Sequence, residues 1–278
     1  MAAIPQFYDG IGAPLDVGLD PTTVAPAWFG HRARLTEWLA ALPAAAWAGP
    51  TRCGRWNVGE LTRHLASVSQ FEGFTLHQAQ KGKATRLLEG MDAQTTPNAA
   101  AELLGDLEPE ALLETLRVAD DRIAATVAGW SAEDWGRTAE APPGHVPAWL
   151  SLAHMLFDSW VHEHDLLTPR REVPVVEISE VTIVVAYVIS LAGFVGGVAT
   201  GSGATLDVRL TDCDLRVGLD ATGARAMTRP GWAPDGAPVV EGTSCQVLDV
   251  ATGRSNAHGL SGDAEGRAVL GALAALMV

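Results

Sequence analysis

Four long stretches of this chain repeat apolar residues at helical spacing, and each is closed by proline or glycine. That pattern leaves few folds other than a helix bundle. The first stretch runs from about Pro26 to Leu42, with Trp28, Leu35, Trp38, Leu39 and Leu42 in phase and Pro43 at its end. The second runs from about Val58 to Gln80. Asn57 is placed to cap it, and Glu60 follows three residues later, the spacing of a capping box. The third spans about Pro109 to Ala128, with Leu112, Leu116, Ile123 and Val127 on one face. The fourth spans about Ala148 to Leu167, between the break at Pro142-Pro143-Gly144 and the stop at Pro169-Arg170-Arg171. Between the second and third, Gly82 to Pro97 reads as a polar loop, and Trp130 to Trp135 as a turn with a short helical cap.

Beyond Pro174 the period changes. An apolar helix over about Glu177 to Gly196 precedes segments that alternate like half-buried strands: Ala204 to Leu210, Leu215 to Leu219 and Pro238 to Gly242. Cys245 to Ala251 and Ala264 to Met277 read as helices. The expected organisation is mainly α. An irregular N-terminal arm (1–22) leads into an up-down four-helix bundle (23–171), and a smaller α+β domain (172–278) follows. No internal repeat is evident.

Net charge bears on partners. At −14 the chain repels phosphate backbones, which argues against nucleic-acid binding. Val181 to Ala199 carries no charge and is near the length of a membrane span. It lacks a basic flank and aromatic anchors at both ends, and its second half is glycine-rich, so a core or subunit-interface helix is expected, and no membrane association. A monomer or a homodimer fits either use of that helix. Cys53, Cys213 and Cys245 are odd in number and far apart, with no CxxC pair, so a disulfide framework is not expected and a cytoplasmic location is. The N-terminus has neither the basic nor the apolar part of a secretory signal.

The chemistry-bearing residues fall on the second and fourth helices. His64 shares a helical face with Leu61, Leu65, Val68 and Phe71, which directs it inward. On the fourth helix Ser151, His154, Asp158, His162 and Asp165 make one narrow polar stripe, free of Lys, Arg and Glu. A solvated stripe is one reading of it, and an ordinary imidazole–carboxylate pair is another. A third is a divalent-metal site of His64, Asp158 and His162, because two imidazoles and a carboxylate hold such an ion and leave a position open. His164 lies off the stripe and is read as a bystander. Cys53 has no local His or Lys signature and is read as a small buried residue.

The run Leu42-Pro43-Ala44-Ala45-Ala46-Trp47, then Pro50-Thr51 and Trp56-Asn57-Val58-Gly59-Glu60-Leu61-Thr62-Arg63-His64-Leu65, resembles the DinB/YfiT-like superfamily. More closely it is similar to the mycothiol-dependent maleylpyruvate isomerase family, whose acid-x-x-x-His-x-x-Asp-Leu segment is matched by Asp158 to Leu166. The resemblance implies a DinB-like four-helix bundle and a sterol-carrier-like α+β C-terminal domain. It implies a divalent metal, zinc above all, on His64, Asp158 and His162. It implies mycothiol as a thiol cosubstrate acting on a small molecule. The family commonly has Glu where Asp158 stands. The shorter side chain puts the ligand set in question, with His154 as a substitute and Asp165 as a residue that orients an imidazole. Thr252-Gly253-Arg254 resembles a Gly-Arg of the family's second domain. Arg254 is therefore the candidate catalytic cation for substrate carboxylates, or simply a helix-end arginine.

The function this implies is a metal-dependent, mycothiol-using isomerase or thiol S-transferase on a small electrophile, in a catabolic, detoxification or natural-product pathway. A metal-poor ligand-binding protein of the same fold is the alternative from another class, and a metal-dependent hydrolase is a third.

Overall fold

The computed structural model describes residues 5–8, 14–54, 56–93, 95–256 and 259–277. In chain order these form β1 (Leu15–Val17), α1 (Val24–Ala40), α2 (Val58–Gln80), α3 (Thr96–Glu102), α4 (Pro109–Val127), α5 (Ala132–Trp135), β2 (Thr138–Ala141), β3 (Gly144–Pro147), α6 (Ala148–Leu167) and α7 (Ile178–Gly193). There follow β4 (Thr205–Leu210), β5 (Arg216–Asp220), β6 (Ala226–Pro230), β7 (Val239–Gly242), α8 (Ser244–Ala251), β8 (Ser261–Gly262) and α9 (Ala264–Met277).

Helices α1, α2, α4 and α6 pack as a bundle. The residues that set their period in the sequence are the ones they bury: Leu35 and Leu39, Leu61 and Leu65, and Leu112 and Leu116 meet in one core. Each such leucine contributes roughly 1.5–3 kcal/mol by leaving water. Helix α2 begins where its capping box is written. Asn57 Oδ1 accepts from Glu60 N at 2.9 Å, and Glu60 Oε2 accepts from Asn57 N at 2.8 Å.

The sheet has the order β1-β6-β5-β4-β7-β8. β1 is parallel to β6 and β4 is parallel to β7, while the remaining neighbours are antiparallel. Helix α7 lies between this sheet and the bundle, touching α1 and α6 on one side and β1, β5 and β6 on the other. With the helical turn that continues it to Val198 it is long and apolar enough to cross a membrane, yet 78% of its most apolar window is buried in the fold. That double burial accounts for a helix with no polar face.

Three differences from the sequence reading have physical causes. The arm read as irregular contributes β1, which pairs Leu15 with Ala226 and so returns to a sheet built two hundred residues later. The rest of that arm at 1–4 and 9–13 lies outside the described residues. Pro142-Pro143-Gly144 does more than break a helix: it turns the β2–β3 hairpin. Gly144 has φ +107°, and a Cβ there would come 2.3 Å from Phe7 O, so glycine lets residues 5–8 run alongside. The polar loop ends in α3, which begins with proline in its first turn.

The hairpin matters for the site through Glu140. Its buried carboxylate accepts from Tyr8 Oη (2.8 Å), Thr85 Oγ1 (2.7 Å), Leu87 N (2.9 Å) and Leu88 N (2.7 Å). This one side chain ties the 85–88 segment to the bundle.

Candidate metal centre

Helix α2 supplies His64, and α6 supplies Asp158 and His162 one turn apart. The polar stripe of α6 faces inward: Ser151, His162 and Asp165 are buried. His64 Nε2 lies 3.5 Å from both carboxylate oxygens of Asp158, and His162 Nε2 lies 3.5 Å from Asp158 Oδ1. The ligand atoms of all three residues fall within 4.8 Å of one another. At 3.5 Å these contacts are long for hydrogen bonds. They are near the about 3.3 Å edge of a tetrahedron built on ~2.0 Å metal–ligand bonds. Asp158, one methylene shorter than glutamate, therefore reaches the two imidazoles from its place on α6.

Burial raises the Asp158 carboxyl, but the facing His162 and His64 imidazoles outweigh it and hold the group well below the usual carboxylate range. Burial likewise lowers His162, while Asp158, Asp165 and Cys53 together raise it well above the ordinary imidazole value. The cluster is thus built around negative charge that calls for a cation, either a proton or a metal.

A second tier fixes the imidazole. His162 Nδ1 donates to Asp165 Oδ2 at 2.9 Å, which leaves Nε2 to carry the lone pair toward Asp158. Asp165 is itself held by Arg254, from Nε to Oδ1 at 2.8 Å and from Nη2 to Oδ2 at 2.5 Å, with Arg52 Nε 3.7 Å away. Burial raises the Asp165 carboxyl, and His162 and Arg254 more than reverse it and hold it well below the ordinary range. Arg254 stands at the wall of the site, but the geometry shows its guanidinium turned to Asp165. Its visible duty is positioning: it follows the C-terminal end of α8, where its N–H bonds Asp249 O at 2.8 Å, but its guanidinium is spent on Asp165. His154, the substitute ligand, instead has Nδ1 3.0 Å from Tyr187 Oη, and burial lowers it to about 4. His164 Nδ1 donates to Trp160 O at 2.9 Å and takes no part.

Cys53 is where the sequence reading falls short. It is only half-buried, its Sγ lies 3.0 Å from Asp165 Oδ2 and 3.6 Å from His162 Nδ1, and it lines the cavity. The loop before α2 brings it there: Arg52 N donates to Asp165 O at 3.0 Å, and Thr51 Oγ1 bonds Trp56 O at 2.6 Å. No local sequence signature marks such a contact, because its partners lie more than a hundred residues away. Trp56 closes the same wall and stacks on His64 with centroids 4.9 Å apart.

The triad faces a cavity of about 550 Å³, lined also by Arg52, Gly54, Phe157 and Val161. Two imidazoles and a carboxylate at its edge can hold one divalent ion with a position left for a ligand.

Known proteins share this family and fold. A family model described as the mycothiol maleylpyruvate isomerase N-terminal domain matches residues 29–167, half of the chain. No curated protein matches the chain significantly. Among solved structures, the crystal structure of the mycothiol-dependent maleylpyruvate isomerase superposes with a TM-score of 0.61 at 17% identity, covering 89% of this chain and 94% of that one. A histidine-to-alanine mutant of it gives a TM-score of 0.62 at 17% identity, with the same coverage of 89% and 94%. Those likenesses show a shared fold over both the bundle and the sheet. With the bundle matched from α1 to the end of α6, the chain belongs to the family of the mycothiol maleylpyruvate isomerase N-terminal domain.

Proposed function

We propose that the chain is a metal-dependent enzyme that uses mycothiol to isomerise a small electrophile or to transfer sulfur to it. The observation that carries this reading is the convergence of His64 Nε2, Asp158 and His162 Nε2 within 4.8 Å at the edge of a cavity. The family's namesake supplies the thiol and the reaction class. Two nitrogens and one oxygen suit zinc among the available ions.

A zinc ion held there supplies Lewis acidity, which lowers the pKa of a thiol that reaches it. The chain's own residues do the rest. Asp165 fixes the tautomer of His162, and Arg254 and Arg52 fix Asp165. Trp56 holds the His64 ring by stacking. The larger cavity admits the thiol. In the reaction the thiol proton leaves to solvent, and the sulfur pair bonds the β-carbon of a conjugated carbonyl compound. In a transferase a proton then returns to the α-carbon. In an isomerase rotation about the former double bond is followed by loss of the same sulfur. A reducing cytosol is the compartment this chemistry calls for, and the three free cysteines suit it.

The test is spectroscopic. In cobalt-substituted protein, added mycothiol is expected to produce a thiolate-to-cobalt charge-transfer band, absent in His64→Ala. No band at saturating mycothiol in the wild type would overturn the reading.

A further inference from the structure

A second cavity, of about 190 Å³, meets the first at His64 and Asp158. Its wall differs in kind. Val68 and Phe71 of α2, Leu88 and Met91 of the loop tied down by Glu140, and Met155 of α6 make it largely apolar. No Lys or Arg is among the described residues that line it, whereas Arg52 and Arg254 line the larger cavity. Its carboxyl groups are Asp158 and Glu72.

Glu72 is the unexplained group. It is 2% exposed, and its Oε1 has no hydrogen-bond partner among the described residues. Its Oε2 lies 2.8 Å from Ser151 Oγ, which also lies 2.8 Å from Glu140 O. Ser151 has one hydroxyl hydrogen, and the carbonyl of Glu140 can only accept. If that hydrogen goes to Glu140, the other contact needs a hydrogen from Glu72. A protonated carboxyl satisfies both bonds and leaves Oε1 as a bare acceptor. Burial, only partly offset by Ser151, pushes this carboxyl up to about 8, in accord with the count of hydrogens.

A dicarboxylate would have to lose its hydration here with no Lys or Arg to meet it, and a metal ion at the rim can meet only one of its two carboxylates. An uncharged ring compound meets no such cost, and a cavity of roughly 150 Å³ is enough for benzene.

We propose that this second cavity receives the electrophile, and that the electrophile is a small, uncharged, largely apolar conjugated carbonyl compound whose hydroxyl group donates to Glu72 Oε1. This rests on the thiol-transfer reading above. Sulfur arrives through the larger cavity and carbon through the smaller, and they meet at His64 and Asp158.

The test uses metal-loaded protein without thiol and follows binding by ligand-observed NMR. The probes are 4-hydroxy-2-cyclohexenone, 2-cyclohexenone and maleate. The hydroxy-enone is expected to bind at least about tenfold more tightly than maleate, and several-fold more tightly than the enone lacking the hydroxyl. Ala100→Phe, which fills the cavity from α3, abolishes enone binding and keeps the cobalt–thiolate band. Glu72→Gln, isosteric with the protonated acid, keeps the hydroxyl preference, and Glu72→Leu loses it. Maleate binding as tightly as the hydroxy-enone, or enone binding that survives Ala100→Phe, would overturn the proposal with the thiol band intact. A missing thiol band beside intact enone binding would overturn the thiol-transfer reading instead.

Discussion

His162 and Asp165, three residues apart on α6, share a 2.9 Å hydrogen bond that commits Nδ1 of the imidazole and frees Nε2 for Asp158 and His64. Arg254 holds the acceptor in place, gripping both oxygens of Asp165. Asp165→Asn keeps the shape but removes the charge that fixes the tautomer. Metal affinity is expected to fall about 10–100-fold. Competition with a chromophoric chelator measures it.

Arg254→Ala leaves the buried Asp165 carboxylate with His162, Cys53 and the more distant Arg52 but without its guanidinium clamp. Breaking such a buried pair costs about 3–5 kcal/mol. Chemical denaturation should show that loss, and Arg254→Lys should restore only part of it, since a single ammonium cannot span both oxygens.

Glu72 predicts a pH dependence of stability. Its folded value of about 8 lies above the ordinary 4.5. The native state therefore holds a proton the unfolded chain gives up. That contribution is fully present below about pH 4.5 and is lost as pH rises through about 8, by about 3–5 kcal/mol in all. Burial raises the nearby Tyr187 hydroxyl out of this window and lowers His154 from 6.5 to about 4, so His154 adds stability as pH rises from about 4 to about 6.5, a contribution that the wild type and Glu72→Gln share and that cancels between them. Glu72→Gln removes the titration. Its melting temperature should match that of the wild type near pH 5 and exceed it by roughly 5–10 °C at pH 8.5. Parallel melting profiles across pH would contradict the assignment.

Glu140→Ala takes away the acceptor of four hydrogen bonds and frees the 85–88 segment. The Leu87 and Leu88 amides should then exchange with solvent at least about tenfold faster, and stability should fall by about 3 kcal/mol or more. Exchange followed by mass spectrometry reads both.

The bundle was legible because its signals are local. Asn57 and Glu60 begin α2, Pro142 to Gly144 precede α6, and the period of buried leucines does the rest. The inward turn of the α6 stripe was legible too, since a stripe free of Lys, Arg and Glu makes poor solvent-facing surface. What escaped depends on distant pairing. β1 takes its shape from β6, β6 carries no clear alternation of its own, and Cys53 acquires its partners only when α6 arrives beside the loop. Glu72 was read merely as part of a helix. Its burial follows from its phase, four residues after Val68 and four before Leu76, but its pairing with Ser151 across the bundle is encoded by no spacing in the sequence.

The central claim is that His64, Asp158 and His162 hold one metal ion. Metal content of the purified protein, by mass spectrometry beside His64→Ala, tests it most directly. About one divalent ion per chain is expected, zinc above others, and its loss in the variant. A wild-type protein that holds no ion even after reconstitution with zinc would contradict it.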